Sequence, residues 1–175
     1  MFPYLKLDHI FEIVASEQEA LDSAQISTII PQAKTQHTDQ GTSAVFHLFP
    51  ENYFELSEQE KMEVLSNVSG DLDPASFENE MTNSTLGSIQ AIKTIQQNNG
   101  EFGSNRYIIS NNESALNVME TFALFKLSNW EAPSVDIIPL FESVDDLQNA
   151  HEIMEKLYTN PAYAKHLKER NNKQT

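Results

Sequence analysis

One carboxylate, Glu142, stands where an acidic side chain could bind a metal ion or another ligand. It follows residues 135–141, a mostly apolar run that predicts a buried strand, and it precedes Ser143, which can cap a helix. In parallel α/β sheets, ligands bind at the carboxyl ends of the strands because loops and helix N-termini converge there. Glu142 is therefore a candidate metal or ligand residue, and a solvated acid at a helix start is the alternative.

The spacing of the five histidines does not indicate a second metal-binding or catalytic group. His9 and Glu12 could share one helix face, but two ligands without a third make a weak metal site. His151-Glu152 lacks the second histidine of an H-E-x-x-H zinc motif. The other three are interpreted as a loop histidine, a partly buried histidine in an apolar run and a solvated histidine on a basic helix, namely His37, His47 and His166.

Several other chemistries are excluded by composition. The chain has no cysteine, which removes thiolate catalysis, disulfides and cysteine-ligated metal sites. Its five glycines form neither a nucleotide-binding loop nor a nucleophile elbow. Only Arg106 and Arg170 could clamp an anionic substrate in the bidentate manner of arginine. Arg106 comes just before a predicted strand and is interpreted as a partner in a structural ion pair.

The net charge is strongly negative. With 26 acidic and 11 basic residues among 175, the chain carries a charge of −15, which repels both a phosphate backbone and an anionic membrane surface. No apolar run approaches membrane-spanning length, and the N-terminus lacks the pattern of a signal peptide. We therefore expect a cytoplasmic protein with neither nucleic acid nor membrane as a partner.

Helical signals dominate the first hundred residues. Ser16 with Glu19, and Ser57 with Glu60, form the capping-box pattern that begins helices. Residues 70–84 are polar and predict a connector. Apolar residues then recur at helical spacing over residues 86–95, and Gly100 is placed to end this helix in a left-handed conformation.

After residue 100 the pattern becomes strand, helix, strand, helix. Residues 106–110 and 135–141 are the two strands, and Pro139 predicts a position near the carboxyl end of the second. The first strand leads to a helix over residues 116–127. The second leads to a helix that is capped by Ser143 and contains Leu147, Ala150, Met154 and Leu157. Pro161 begins a last, basic helix that extends to Arg170.

The segment around Glu142 resembles phosphoenolpyruvate carboxylases. Residues 136–150, DIIPLFESVDDLQNA, closely match the family segment V-x-P-L-F-E-T-x-D-D-L-x-N-A. Residues 107–110 and those that follow resemble Y-x-I-S-M-x-x-x-x-S-D-V-L, and residues 172–174 resemble G-K-Q. Order and spacing agree across residues 104–174, and Gln36-His37-Thr38 is more distantly similar to R-H-T in that family.

The resemblance implies a fold and an activity. The family has a largely helical variant of the (β/α)8 barrel and adds bicarbonate to phosphoenolpyruvate, giving oxaloacetate and phosphate with Mg²⁺ or Mn²⁺. By this resemblance Glu142 takes the place of the family's metal-ligating glutamate. Hard cations bind carboxylate oxygens and would neutralise charge that builds on the enolate and the phosphate.

Three departures separate the chain from the complete family pattern. It ends at Thr175, before the family's G-Y-S-D-S-G-K-D with its second metal-ligating aspartate, and it lacks T-A-H-P-T-E, G-R-G-G-S and the glutamine-rich substrate motif. Pro31 replaces a phosphate-contacting arginine in D-I-R-Q, where Gln32 agrees. A closed barrel also needs about 200 residues or more. We therefore expect a chain that binds no metal tightly and is inactive alone.

The expected fold is helix-rich α/β, with a mainly helical part over residues 1–100 and a β-α-β-α segment of a partial barrel, with a terminal helix, over residues 101–175. Both parts are expected to form one structural unit. The leading hypothesis is a segment of a phosphoenolpyruvate carboxylase that requires the remainder of the enzyme, phosphoenolpyruvate and bicarbonate. A short, degenerate relative that acts through protein contacts is the second hypothesis, and an acidic binding domain of shared ancestry is the third. The open strand edges of a partial barrel favour self-association or a partner chain.

Overall fold

The structure is a computed structural model, and it describes residues 49–50, 52–76, 80–110 and 112–173. Several of the predictions lie outside the described residues, namely the helix beginning at Ser16 and the interpretations of His9, Glu12, Pro31, Gln32, His37 and His47.

The described residues form five α-helices and two β-strands: α1 (Glu58–Asn67), α2 (Glu80–Asn99), β1 (Arg106–Ile109), α3 (Ala115–Leu127), β2 (Asp136–Pro139), α4 (Val144–Thr159) and α5 (Pro161–Glu169). The helix-rich α/β class is therefore confirmed, as is the order of strand, helix, strand, helix and terminal helix after residue 100. The division of the chain at residue 100 stays a prediction.

The two strands form a parallel pair. Their register runs from Arg106 beside Asp136 to Ile109 beside Pro139, and α3 connects them. A helical crossover between neighbouring parallel strands is the βαβ unit. Pro139 is the last residue of β2, as predicted, and the next amide, that of Leu140, donates to the Ile109 carbonyl at 2.9 Å.

Helix α3 forms the centre of the core. Its sequence, ALNVMETFALFKL, is apolar around almost its whole circumference, and twelve of its thirteen residues are buried. A helix of this kind is stable only when other elements surround it. Helices α1 and α4 and strand β2 contact it directly, and the rings of Tyr107 and Tyr163 meet its Phe125 and Phe122 edge-on.

The predicted starts of α1, α4 and α5 and the predicted end of α2 are confirmed. Ser57 and Glu60 form a capping box at α1, and Ser143 and Asp146 form one at α4. The side chain of Asn160 accepts hydrogen bonds from two backbone amides at the start of α5, where Pro161 is the first residue. Gly100 follows α2 with a φ of 79°, which is the left-handed conformation that glycine adopts without steric cost.

Helix α2 is longer than the sequence indicates. It begins at Glu80, so the later part of the predicted connector over residues 70–84 is helical. These residues are mostly polar, which fits the exposure of several of them, and Thr82 and Leu86 are buried among the side chains that the structure describes there. Part of the remaining connector pairs with the end of α3, where the Leu72 amide donates to the Leu127 carbonyl at 2.7 Å.

The last helix is less solvated than its basic composition suggests. His166 is only 3% exposed, so its interpretation as a solvated histidine is wrong, and its ring lies against those of Phe122 and Tyr163. Arg170 is also largely buried. Its Nε donates to Asp136 Oδ1 at 2.8 Å, and its Nη1 bonds to Glu101. These contacts fix the end of α5 to the first residue of β2.

Replacing Arg170 with methionine should destabilise the protein by about 3 kcal/mol, because the carboxylate of Asp136 would remain buried without its cationic partner. Urea unfolding of the purified chain measures this loss. Lys165→Met is the matched control, since the Lys165–Glu169 pair is exposed at 4.0 Å and should contribute less than about 0.5 kcal/mol. Equal stabilities of the two variants would contradict the anchoring role of Arg170.

Stability should also fall in mild acid because of His166. Burial, with a smaller effect of the nearby Arg170 charge, lowers the pKa of His166 from 6.5 to about 4. Between pH 6.5 and about 4, the unfolded chain therefore binds a proton at this histidine that the folded chain does not bind. The stabilisation is complete above pH 6.5 and is lost as the pH falls towards 4. His166→Gln should flatten this part of the pH profile of unfolding free energy. His151→Gln, at an exposed position, is the matched control, and the pH dependence that His166 causes should remain in this variant.

Candidate functional site

The candidate site lies beyond the carboxyl ends of both strands. Because β1 and β2 are parallel and Ile109 is paired with Pro139, the segments that follow them leave the same edge of the sheet. Asn112 comes three residues after Ile109, and Glu142 comes three residues after Pro139. The βαβ unit thus presents one loop from each strand at the edge where α/β proteins bind ligands.

Glu142 is positioned by the start of α4. The Ser143 amide donates to Asp146 Oδ2 at 3.0 Å, and the Asp146 amide donates to Ser143 Oγ at 3.0 Å. This reciprocal pair begins the helix directly after Glu142, whose side chain is exposed. The N-terminal end of a helix carries partial positive charge, so an acidic residue is electrostatically favoured at this position.

The neighbouring acids do not complete a metal site. The hydrogen bonds from the Ser143 side chain and backbone lower the pKa of Asp146, whose carboxylate is engaged in the capping box. No group of three or more His, Cys, Asp or Glu side chains within the described ranges could hold a metal ion. Mg²⁺ and Mn²⁺ favour several oxygen ligands, which Glu142 alone does not supply. The described residues therefore do not fit a complete divalent metal site.

The side-chain amide of Asn112 is buried at the same edge, and the sequence predicted no role for it. Its side chain is fully buried, and both its amide nitrogen and its amide oxygen lack a hydrogen-bond partner. Such groups are rare in folded proteins because their desolvation is costly. The same loop is held from α3, where Asn117 Oδ1 accepts from the amides of Glu113 and Ser114 at 3.1 and 3.0 Å. Asparagine in a polar loop is common, so only the burial distinguishes Asn112.

Neither arginine lies at the edge that carries Glu142. Arg106 begins β1 and Arg170 contacts Asp136, which begins β2, so both are at the amino ends of the strands. Each strand has four residues, which separates its two ends by about 10 Å. Arg170 is occupied by its two acidic partners. The described part of the chain thus offers no arginine clamp for an anion beside Glu142.

An open groove of about 870 Å³ lies elsewhere on the molecule. Its lining combines polar and apolar groups from along the whole of α1 and from the junction of α4 and α5, including Glu58, Ser66, Lys156 and Asn160. Val144 and Lys156 are twelve residues apart on α4, so the groove is about 18 Å along the helix from the Glu142 end. No helix in the described residues combines the length and apolarity needed to cross a membrane.

Comparison with known proteins identifies relatives of the chain. The family model "Phosphoenolpyruvate carboxylase" matches residues 27–175. The phosphoenolpyruvate carboxylase of Synechococcus sp. (strain WH7803) is 32% identical over 146 residues, which cover 77% of this chain and 14% of that protein. The Gloeobacter violaceus enzyme is 32% identical over 145 residues, covering 77% of this chain and 15% of the enzyme. The chain thus spans about one seventh of the length of these curated relatives.

No solved structure matches the chain significantly. The family assignment therefore depends on the sequence comparisons, and these include the βαβ unit and the loop that carries Glu142. Because the family model covers residues 27–175, well over half of the chain, this chain belongs to the phosphoenolpyruvate carboxylase family.

Proposed function

We propose that this chain forms part of the barrel of a phosphoenolpyruvate carboxylase, the enzyme that joins bicarbonate to phosphoenolpyruvate and releases oxaloacetate and phosphate. The observation that carries the proposal is the family match over residues 27–175, which includes a parallel βαβ unit with Glu142 beyond its carboxyl edge. A parallel pair joined by a helix is the repeating unit of such barrels. A cytoplasmic location accompanies this function.

Glu142 is proposed as one ligand of the Mg²⁺ or Mn²⁺ ion of the complete enzyme. Its exposure at the strand edge, directly before the amino end of α4, supports this role. We propose that the other metal ligands come from parts of the complete enzyme other than the described residues. The chain alone is accordingly proposed to bind no divalent ion tightly and to be inactive.

A non-catalytic family member that acts through protein contacts is the second candidate function. It is favoured by large apolar side chains that remain exposed on the described residues, among them Ile108, Leu140 and Leu147. Exposed apolar side chains of this size are typical of surfaces that another chain covers. The two candidates differ in whether Glu142 matters for catalysis.

Titration of the isolated chain with Mn²⁺ should show only weak, non-stoichiometric binding that Glu142→Gln leaves unchanged, because one carboxylate does not make a tight site. Isothermal titration calorimetry with and without phosphoenolpyruvate measures this. A saturable one-to-one site in the wild-type chain that disappears in Glu142→Gln would contradict the prediction and place a complete site in this chain.

The role of Glu142 in catalysis is testable in a chimaera. The matching segment of the Synechococcus sp. (strain WH7803) enzyme is replaced with the matched residues of this chain, and oxaloacetate formation is followed with Mn²⁺. We expect an active chimaera in which Glu142→Gln lowers kcat/KM by about 100-fold or more, since metal ligands and their partners have effects of this order.

Asp145→Asn is the matched control in the chimaera. Asp145 is an exposed acid three residues after Glu142, and it does not belong to the capping box. It should retain activity within about twofold of the unsubstituted chimaera. An active chimaera that tolerates Glu142→Gln would exclude the ligand role. A folded chimaera without any activity would favour the non-catalytic candidate.

A further inference from the structure

Helix α4 carries a second, largely apolar face that the described residues leave exposed. Its inner face is formed by Ile153 and Leu157, which are buried against the core. A separate stripe is formed by Val144, Leu147, His151, Met154 and Tyr158. Val144 is 69% exposed, Leu147 is 62% exposed and Tyr158 is 43% exposed, and Met154 is half-buried. Most of this stripe therefore faces solvent.

The stripe has the spacing of a coiled-coil seam. Its five residues are separated by three, four, three and four positions, which is the alternation of a and d positions in a heptad. It spans fifteen residues, and the fourteen steps between the first and the last cover about 21 Å along the helix axis. At 100° per residue, its members lie within one narrow arc beside the buried face. A surface of this form is complementary to one further helix.

The charges beside the stripe are acidic. On its solvent side lie Asp145, Gln148, Glu152 and Glu155, and three of these four are carboxylates. All four are exposed, whereas on the opposite side of the stripe Ala150 is half-buried and Leu157 is buried. The only lysine of α4, Lys156, is 3.7 Å from Glu58 and therefore already has a carboxylate partner. Flanking charges of one sign select a partner helix of the other sign.

We infer that the stripe Val144–Leu147–His151–Met154–Tyr158 is a docking site for an amphipathic helix of another polypeptide, with an apolar seam bordered by lysine or arginine. A second copy of this chain would bring an identical acidic border and a further charge of −15 against the first. An anionic membrane surface is disfavoured by the same charges, since helices that lie on membranes carry basic polar faces. This inference does not depend on the metal role of Glu142.

A designed peptide tests the docking site on the intact chain. The probe is a fluorescein-labelled, three-heptad helix with leucine at a and d and lysine at e and g, compared with the same peptide carrying glutamate at e and g. We expect the lysine peptide to bind at least about 10-fold more tightly in fluorescence anisotropy at low salt. Replacing Glu152 and Glu155 with glutamine should reduce this preference and its dependence on salt.

The apolar part of the site is tested with Leu147→Gln. This substitution should raise the Kd of the lysine peptide by about 10-fold, which is the effect of losing one buried leucine. Phe102→Gln is the matched control, because Phe102 is 91% exposed and lies outside α4. Circular dichroism verifies that both variants remain folded. Val144→Gln, at a second exposed stripe position, should reproduce the Leu147 effect.

Four results would overturn the inference. Equal affinities of the Leu147→Gln and Phe102→Gln variants would show that the peptide does not dock on the stripe. Equal affinities of the lysine and glutamate peptides would show that the acidic border does not select a basic partner. A dimer in sedimentation that Leu147→Gln dissociates would make a second copy the occupant. Cosedimentation with phosphatidylglycerol vesicles that Leu147→Gln abolishes would make a membrane the occupant.

Discussion

The enclosure of α3 is the constraint on which the rest of the structure depends. A thirteen-residue helix that is apolar on almost every side cannot remain in water, and each neighbouring element covers part of it. Even its one lysine is accommodated in this way, because the Nζ of Lys126 donates to the Ser66 carbonyl at 3.0 Å and pairs with Glu131 at 3.6 Å. A buried ammonium is tolerated only when such partners satisfy it.

The two ends of the βαβ unit differ in a way that suits a site at one end only. At the amino ends of the strands, the Gln96 side chain donates to the carbonyls of Ser104 and Ser134 at 2.6 and 3.1 Å, and Arg170 anchors Asp136. These contacts connect α2, α5 and both strand starts. At the carboxyl ends, short loops lead into α3 and α4 and carry Asn112 and Glu142. The ion pair that anchors α5 to β2 thus lies away from the edge that is proposed to bind metal.

The surface of the described residues has exposed apolar side chains and unpaired strand edges, which are typical of a segment that other parts of a protein cover. The matched part of the chain covers only 14% of a family relative, and apolar side chains remain exposed on β1, on α4 and after β2. The βαβ unit also leaves one edge of each strand unpaired within the described residues. Unpaired edges and apolar stripes are usually covered by other elements. The proposed barrel and the helix-docking stripe account for different parts of this surface.

The sequence by itself determined the local structure and the family. Capping residues such as Ser57, Ser143 and Asn160 act over three or four positions, so their patterns predict helix starts directly. The motif around Glu142 likewise identified the family that the comparisons confirm. What the sequence did not show was decided by contacts between distant residues. Arg170 and His166 belong to a basic helix by composition, yet Asp136 and Phe122, from other elements, bury them.

Exposure along α4 was decided in the same way. Leu147 and Leu157 are chemically equivalent in the sequence, and only the packing of the helix makes one exposed and the other buried. The position of Glu142 beyond a sheet edge was predictable because a strand followed by a helix sets it locally. The absence of further ligands around it within the described residues is a property of the tertiary structure, since a metal site joins residues that chain spacing does not bring together.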